Sequence, residues 1–140
     1  MKCYAVIDTN VLVSALLAKH NTSATVLVVE RLLDGTVIPV FSNYILEEYS
    51  AVLHRDKFGF DPVLVDTFLQ ELLKHGIIAE PEESDVVLPD MKDVPFYVVA
   101  LNSGIDDTFL VTGNIKHFPA APFIVTPAQF LEILQEKFQD

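Results

Sequence analysis

Cysteine is almost missing: Cys3 is the one thiol in 140 residues. No internal disulfide can brace such a chain, which suits a reducing cytosol. Its place in the first apolar stretch points to a buried, inert thiol. No set of Cys and His has the spacing of a structural zinc site. No apolar run approaches the length that spans a bilayer. Residues 3–18 are the stretch to weigh as a signal peptide, but Asp8 and Asn10 would fall inside its apolar core and only Lys2 precedes it. That composition rejects a signal peptide. There is no internal repeat, low-complexity tract or Gly/Ser linker. There is also no glycine loop to cradle phosphate, which disfavours a nucleotide-dependent kinase or NTPase. Basic residues are scarce, 9 Lys and Arg against 20 Asp and Glu, for a formal net charge of -11. With a pI near 4.5, indiscriminate binding to nucleic acid or anionic membrane is disfavoured. A nucleic-acid enzyme stays open, because bound divalent cations invert the local field.

Apolar residues, by contrast, are abundant, at 51% of the chain with mean hydropathy +0.37. A chain of this length with that content is expected to form one domain over residues 1–140 with a well-filled core. The stretch that organises it is Tyr4-Ala5-Val6-Ile7-Asp8-Thr9-Asn10. An apolar run too short for a buried helix and closed by polar residues reads as a strand covered on both faces, as in parallel sheets. In open α/β sheets, ligands bind outside the carboxyl ends of the strands. Asp8 therefore stands at the mouth of such a crevice, with Thr9 and Asn10 beside it. Asp8 equally suits the N-cap of the helix that follows.

The remaining chain alternates helix and strand. Helices are expected over Val11–Leu17 and Ala24–Leu33, the second closed by Asp34-Gly35. A strand over Val37–Phe41 follows, with Pro39 at an edge or an unpaired ladder position and Ser42 as the next cap. In the helix from Asn43 to His54, Ile45, Leu46, Tyr49, Val52 and Leu53 share one arc; Glu48 lies at its border and Glu47 on the far side. Asp61-Pro62 opens a helix over Val63–Lys74 that Gly76 ends, and Ile77-Ile78-Ala79 is a short strand. Residues 80–93 carry six acids (Glu80, Glu82, Glu83, Asp85, Asp90, Asp93) against Lys92, mostly a solvated loop. Asp93 begins the next helix and shares the inward face of Phe96, Tyr97, Ala100 and Leu101, so capping and metal binding compete for it. After Gly104, Phe109–Val111 is a strand that stops in Thr112-Gly113-Asn114, and Lys116 and His117 reach the same crevice edge. Phe123–Val125 is the last strand. Thr126-Pro127-Ala128-Gln129 is a capping box opening a helix with Phe130, Leu131, Leu134 and Phe138 as its stripe.

This alternation predicts an α/β fold with a mostly parallel sheet. Asp8, Glu48 and Asp93 then come from three elements to one strand-end side. Three clustered carboxylates repel one another unless protonated or bridged by cations, and Mg²⁺ or Mn²⁺ suits an all-oxygen donor set. A metal held there can activate water and stabilise an in-line displacement at phosphorus.

The ordered motifs Val6-Ile7-Asp8-Thr9-Asn10-Val11, Ser42-Asn43-Tyr44-Ile45-Leu46-Glu47-Glu48-Tyr49, Asp93-Val94-Pro95-Phe96 and Leu110-Val111-Thr112-Gly113-Asn114-Ile115-Lys116-His117 resemble the PIN domain. Among PIN proteins they are most similar to VapC-like toxin components of toxin–antitoxin pairs, over residues 3 to about 129. The resemblance implies a three-layer α/β/α fold around a five-stranded, mostly parallel sheet. It implies a Mg²⁺- or Mn²⁺-dependent ribonuclease with Asp8, Glu48 and Asp93 as catalytic and metal-binding acids. It also implies a homodimer, an RNA substrate and a cognate antitoxin that blocks the site. Thr9, Asn10, Thr112, Asn114, Lys116 and His117 are the residues expected on the substrate side. Many PIN domains carry a further acid near the end of the fourth strand. Here Asn114, whose amide oxygen ligates without adding charge, and Asp107, before the strand, are the candidates.

Rival readings fare worse on the same residues. A haloacid-dehalogenase-type phosphatase wants an acid two positions after the first, where Asn10 stands. A receiver domain wants acids before the phosphoacceptor, and the motif order does not fit. The remaining alternative is a non-catalytic PIN-fold module that binds RNA or protein.

Overall fold

The structure is a computed structural model that describes residues 2–137. Five short strands form one sheet: β1 (Cys3–Ile7), β2 (Val37–Phe41), β3 (Ile77–Ile78), β4 (Phe109–Val111) and β5 (Ile124–Val125). Their order is β3-β2-β1-β4-β5 and every pairing is parallel. Among the described residues, six helices connect and cover them: α1 (Thr9–Leu17), α2 (Ala24–Leu33), α3 (Asn43–Leu53), α4 (Pro62–His75), α5 (Val94–Asn102) and α6 (Pro127–Lys137). The architecture is a three-layer α/β/α sandwich. α5 packs on β1, β2 and β4, while α1, α2 and α6 pack side by side.

β1 and β2 obey the burial logic of a parallel sheet, whereas both residues of the edge strand β3 are exposed. In β1, Cys3, Ala5, Val6 and Ile7 are essentially inaccessible, as are Val37, Val40 and Phe41 in β2. The Cys3 thiol is accordingly pushed up to about 12 by burial. It is an inert core group. Pro39 lies on an interior strand, paired with Ala5 in the β1–β2 register. Phe41, two residues on, accepts from Ala79 N–H on the β3 side at 2.9 Å, so Pro39 turns its missing donor the same way. β3 begins only opposite Val40. No ladder bond is lost there.

Several boundaries differ from the expected ones. α1 starts at Thr9, immediately after Asp8, and α4 starts at Pro62 with Asp61 accepting from Val63 N–H at 2.9 Å. A 3-10 turn, Met91–Asp93, precedes α5, so Asp93 closes that turn and caps nothing with its side chain. The capping box at α6 forms as expected: Thr126 Oγ1 accepts from Gln129 N–H at 3.1 Å and Gln129 Oε1 accepts from Thr126 N–H at 2.9 Å. Phe138, expected on the last apolar stripe, lies outside the described residues.

The topology sets the place of any site. From β1 the chain winds outward through β2 to β3, then returns to lay β4 on the other side of β1. The strand order thus reverses between β1 and β4, which is where open α/β sheets leave a ligand crevice. Ile7 pairs with Val111, so the next residues, Asp8 and Thr112, meet at that crevice.

Candidate active site

Asp8 is fixed from both sides. Its backbone N–H donates to Val111 O at 3.0 Å. Its Oδ2 accepts from Thr112 Oγ1 at 2.8 Å, and its Oδ1 accepts from Asn10 N–H at 3.3 Å as the cap of α1. Capping and a place in the crevice are therefore compatible. The carboxyl is 6% exposed, and burial raises its pKa; the bonds from Thr112 and the backbone, and the nearby His117, oppose that rise. Thr112 is fully buried and its hydroxyl also accepts from Asn114 N–H at 3.0 Å, so one hydroxyl ties the ends of β1 and β4 together.

Glu48 arrives on α3. The helix is pinned to the end of β1 by Tyr49, whose buried hydroxyl donates to Ile7 O at 2.6 Å and whose ring meets Phe96 at 6.3 Å. One position earlier, Glu48 is half-buried and accepts a hydrogen bond from Thr9 Oγ1, whereas Glu47 is exposed. The helix-border placement expected for Glu48 is what the structure has. Burial raises the Tyr49 pKa, and the charges of Asp8 and Glu48 raise it further.

Asp93 comes from the turn before α5, with its side chain 16% exposed. Its Oδ2 lies 3.3 Å from His117 Nδ1, within ion-pair range, and by strict geometry this buried oxygen has no hydrogen-bond partner among the described residues. Burial raises the Asp93 pKa, with Asp8 and Asp90 adding to it and His117 opposing. Asp8, Asp93 and His117 thus share one field, and Thr9, the residue after Asp8, is hydrogen-bonded to Glu48. Among the described residues, no three Asp, Glu, His or Cys side chains form a ready-made metal cage. The donor chemistry still fits a hard divalent cation: carboxylate oxygens only, one of them buried and unbonded.

A family model described as PIN domain matches residues 4–116. The chain belongs to the PIN domain family. No curated protein and no solved structure matches the chain in the corresponding comparisons. PIN domains are commonly metal-dependent nucleases and generally use divalent metal ions.

Within this PIN domain the other expected site residues fall into place unequally. Thr9 and Thr112 are buried partners of Glu48 and Asp8, so each positions an acid. Asn10, Asn114 and Lys116 are exposed on the same rim, and His117 is held toward Asp93. Asp107 does not join them. β4 runs parallel to β1 with Phe109 opposite Ala5, so Asp107, two residues before that pair, sits at the amino-terminal end of the sheet. It occupies a left-handed turn at φ 59°, at the opposite end of the sheet from the Asp8 crevice and out of reach of a ligand there. The bond from Tyr49 to Ile7 was not legible in the sequence, because a buried tyrosine announces no particular acceptor.

The charged form of Asp93 is disfavoured in the folded state, so its cost is absent below the ordinary aspartate value of 3.8. That cost grows as pH rises from 3.8 through the raised folded-state value. In metal-free buffer at pH 7, Asp93→Asn is expected to raise Tm, against the roughly 1 kcal/mol loss typical of a point substitution. The gain should vanish at acid pH. Thermal melts from pH 3 to 8 check this, and a lower Tm at neutral pH refutes it.

Proposed function

We propose that this PIN domain is a metal-dependent endoribonuclease, the toxin of a toxin–antitoxin pair, with a homodimeric form and a cognate antitoxin as partner. The observation that supports the catalytic part is the β1/β4 switch point, where Asp8 is buried, Glu48 bonds to Thr9 beside it, and Asp93 lies in the field of Asp8 with its buried Oδ2 lacking a hydrogen-bond partner among the described residues. Asp8, Glu48 and Asp93 would hold Mg²⁺ or Mn²⁺, with Asn114 as a neutral neighbour. When bound, such a cation supplies a nucleophilic water and charge stabilisation for an in-line displacement at phosphorus. The chain's own contribution is placement. Thr112 and the amide of Asn10 orient the two oxygens of Asp8, Thr9 orients Glu48, and His117 Nδ1 stands 3.3 Å from Asp93 Oδ2. Lys116, exposed on the rim, is available to an RNA phosphate. So few bases face the crevice that counterion release on binding should be modest.

Asn114 in place of a fourth acid favours the second reading, a PIN-fold module that binds RNA or protein without cutting it. A cleavage assay on single-stranded and structured RNA, with Mn²⁺ or Mg²⁺ titrated, separates the two. Cleavage that EDTA abolishes supports the nuclease; metal-independent RNA binding without product supports the module. In the same assay Glu48→Gln is expected to lower the rate by at least about tenfold, roughly 1.4 kcal/mol of transition-state stabilisation. Glu47→Gln, on the exposed face, should leave it nearly intact. Equal losses would contradict the placement of Glu48.

A further inference from the structure

Two clefts open side by side at the rim, sharing Gly113 and Asn114. One, of about 220 Å³, is formed by Asn10 and Ser14 of α1, Thr25 of α2 and Asn114, with Val11 and Pro127 as its apolar wall. Among the described residues, no charged side chain lines it. The other, of about 280 Å³, contains Lys116 and His117 with Thr126. Hydrogen bonds tie both to the central carboxylate: Asn10 N–H donates to Asp8 itself, and Asn114 N–H reaches it in two steps, through the Thr112 hydroxyl that donates to Asp8.

The division by charge matches the two halves of a nucleotide. A phosphate needs cationic or N–H donors and fixes position without carrying sequence. A base is uncharged and is read by paired donors and acceptors, with apolar groups against its face. The first cleft offers that set. Each carboxamide is donor and acceptor at once, and each hydroxyl can be either. The bonds that fix Asn10 and Asn114 run through their backbone N–H groups and use neither carboxamide. Ser14 follows Asn10 by four residues on α1 and so faces the same way. Thr25 stands on α2, which packs against α1, its hydroxyl 3.5 Å from Ser23 Oγ.

We propose that the cleft between Asn10, Ser14, Thr25 and Asn114 takes the nucleobase adjoining the phosphodiester to be cut, and that Ser14 and Thr25 set which base is preferred. The neighbouring cleft, through Lys116, takes a backbone phosphate. This rests on the nuclease reading and adds to it a source of sequence preference.

The test uses short single-stranded RNAs that differ only in the base on either side of one linkage, plus an abasic version. Cleavage is measured as kcat/KM in Mn²⁺, and binding by fluorescence anisotropy in Ca²⁺. The full chain is expected to favour its best base over its worst by about fivefold or more. Ser14→Ala and Thr25→Val should each flatten that preference while leaving abasic cleavage and the Mn²⁺-induced Tm shift unchanged. Lys116→Ala should instead weaken every RNA alike. Cleavage indifferent to base overturns the proposal and leaves the nuclease standing, as does a uniform loss in Ser14→Ala and Thr25→Val that includes the abasic RNA. Base-selective binding that these two variants abolish, without cleavage by any form, keeps the pocket and sinks the nuclease. Neither cleavage nor base-selective binding sinks both.

Discussion

Asp8→Asn is expected to reduce metal-dependent RNA cleavage by at least about a hundredfold, roughly 2.7 kcal/mol of transition-state stabilisation. Both oxygens of Asp8 are already oriented, by Thr112 and by the α1 backbone, and the carboxyl is 6% exposed. Replacing one oxygen with an amide keeps the shape and the cap but removes the charge a cation would neutralise. The same substitution separates metal binding from folding. Metal that binds only the folded state stabilises by about 2.7 kcal/mol at a hundredfold excess over Kd, so the wild type should show a clear rise in Tm with Mn²⁺. Asp8→Asn should lose most of that rise. Without metal it should be no less stable than the wild type, because burial raises the Asp8 pKa and makes its charge a cost at neutral pH. A variant that keeps the full Mn²⁺ shift removes Asp8 from the site. One that unfolds without metal shows instead that Asp8 is chiefly a structural cap.

How much of this was readable from the sequence depended on the range of the interaction. The short apolar runs at residues 3–7, 37–41 and 109–111 specify buried parallel strands by themselves, since both faces of such strands are covered. Periodicity likewise separated Glu48 from the adjacent Glu47, and the capping box at Thr126 and Gln129 is a local motif that forms wherever a helix starts. Asp93 was harder. Its spacing from Phe96 and Ala100 looked like one continuous helix, but Pro95 lacks an N–H and the chain tightens into a 3-10 turn first. The misplaced candidate, Asp107, failed on direction: near β4 in sequence, it enters at the end of the sheet opposite Asp8. The hydroxyl of Thr112 acquires its partner only through the register of β1 on β4, and Tyr49 through a contact 42 positions away. Such pairings depend on the fold as a whole and leave no local trace.

Gly76 shows the same distinction in a form that stability can measure. It follows α4, where a glycine ordinarily supplies a left-handed conformation, yet its φ of -98° and ψ of 178° are open to any residue. Contact is what requires glycine here. A Cβ at this position would lie 2.5 Å from Cζ and 2.7 Å from Cε2 of Phe41, and 2.8 Å from the Leu72 carbonyl oxygen. Phe41 is fully buried and the carbonyl is backbone, so neither can yield cheaply. Gly76→Ala is expected to cost about 1–3 kcal/mol, a drop of several degrees in Tm for a chain of this size. The strain should also reach the site. Phe41 is the last residue of β2, and Ser42 next to it caps α3, the helix that carries Glu48. Cleavage at a temperature where the variant remains folded should therefore fall as well. Phe41→Leu shortens the side chain that would collide, so the double variant should be more stable than the sum of the two single losses, a coupling that contacting residues show and distant ones do not. Strictly additive losses, or a Gly76→Ala protein that melts with the wild type, would mean that α4 shifts freely against β2 and that this contact does not hold the helix bearing Glu48 in place.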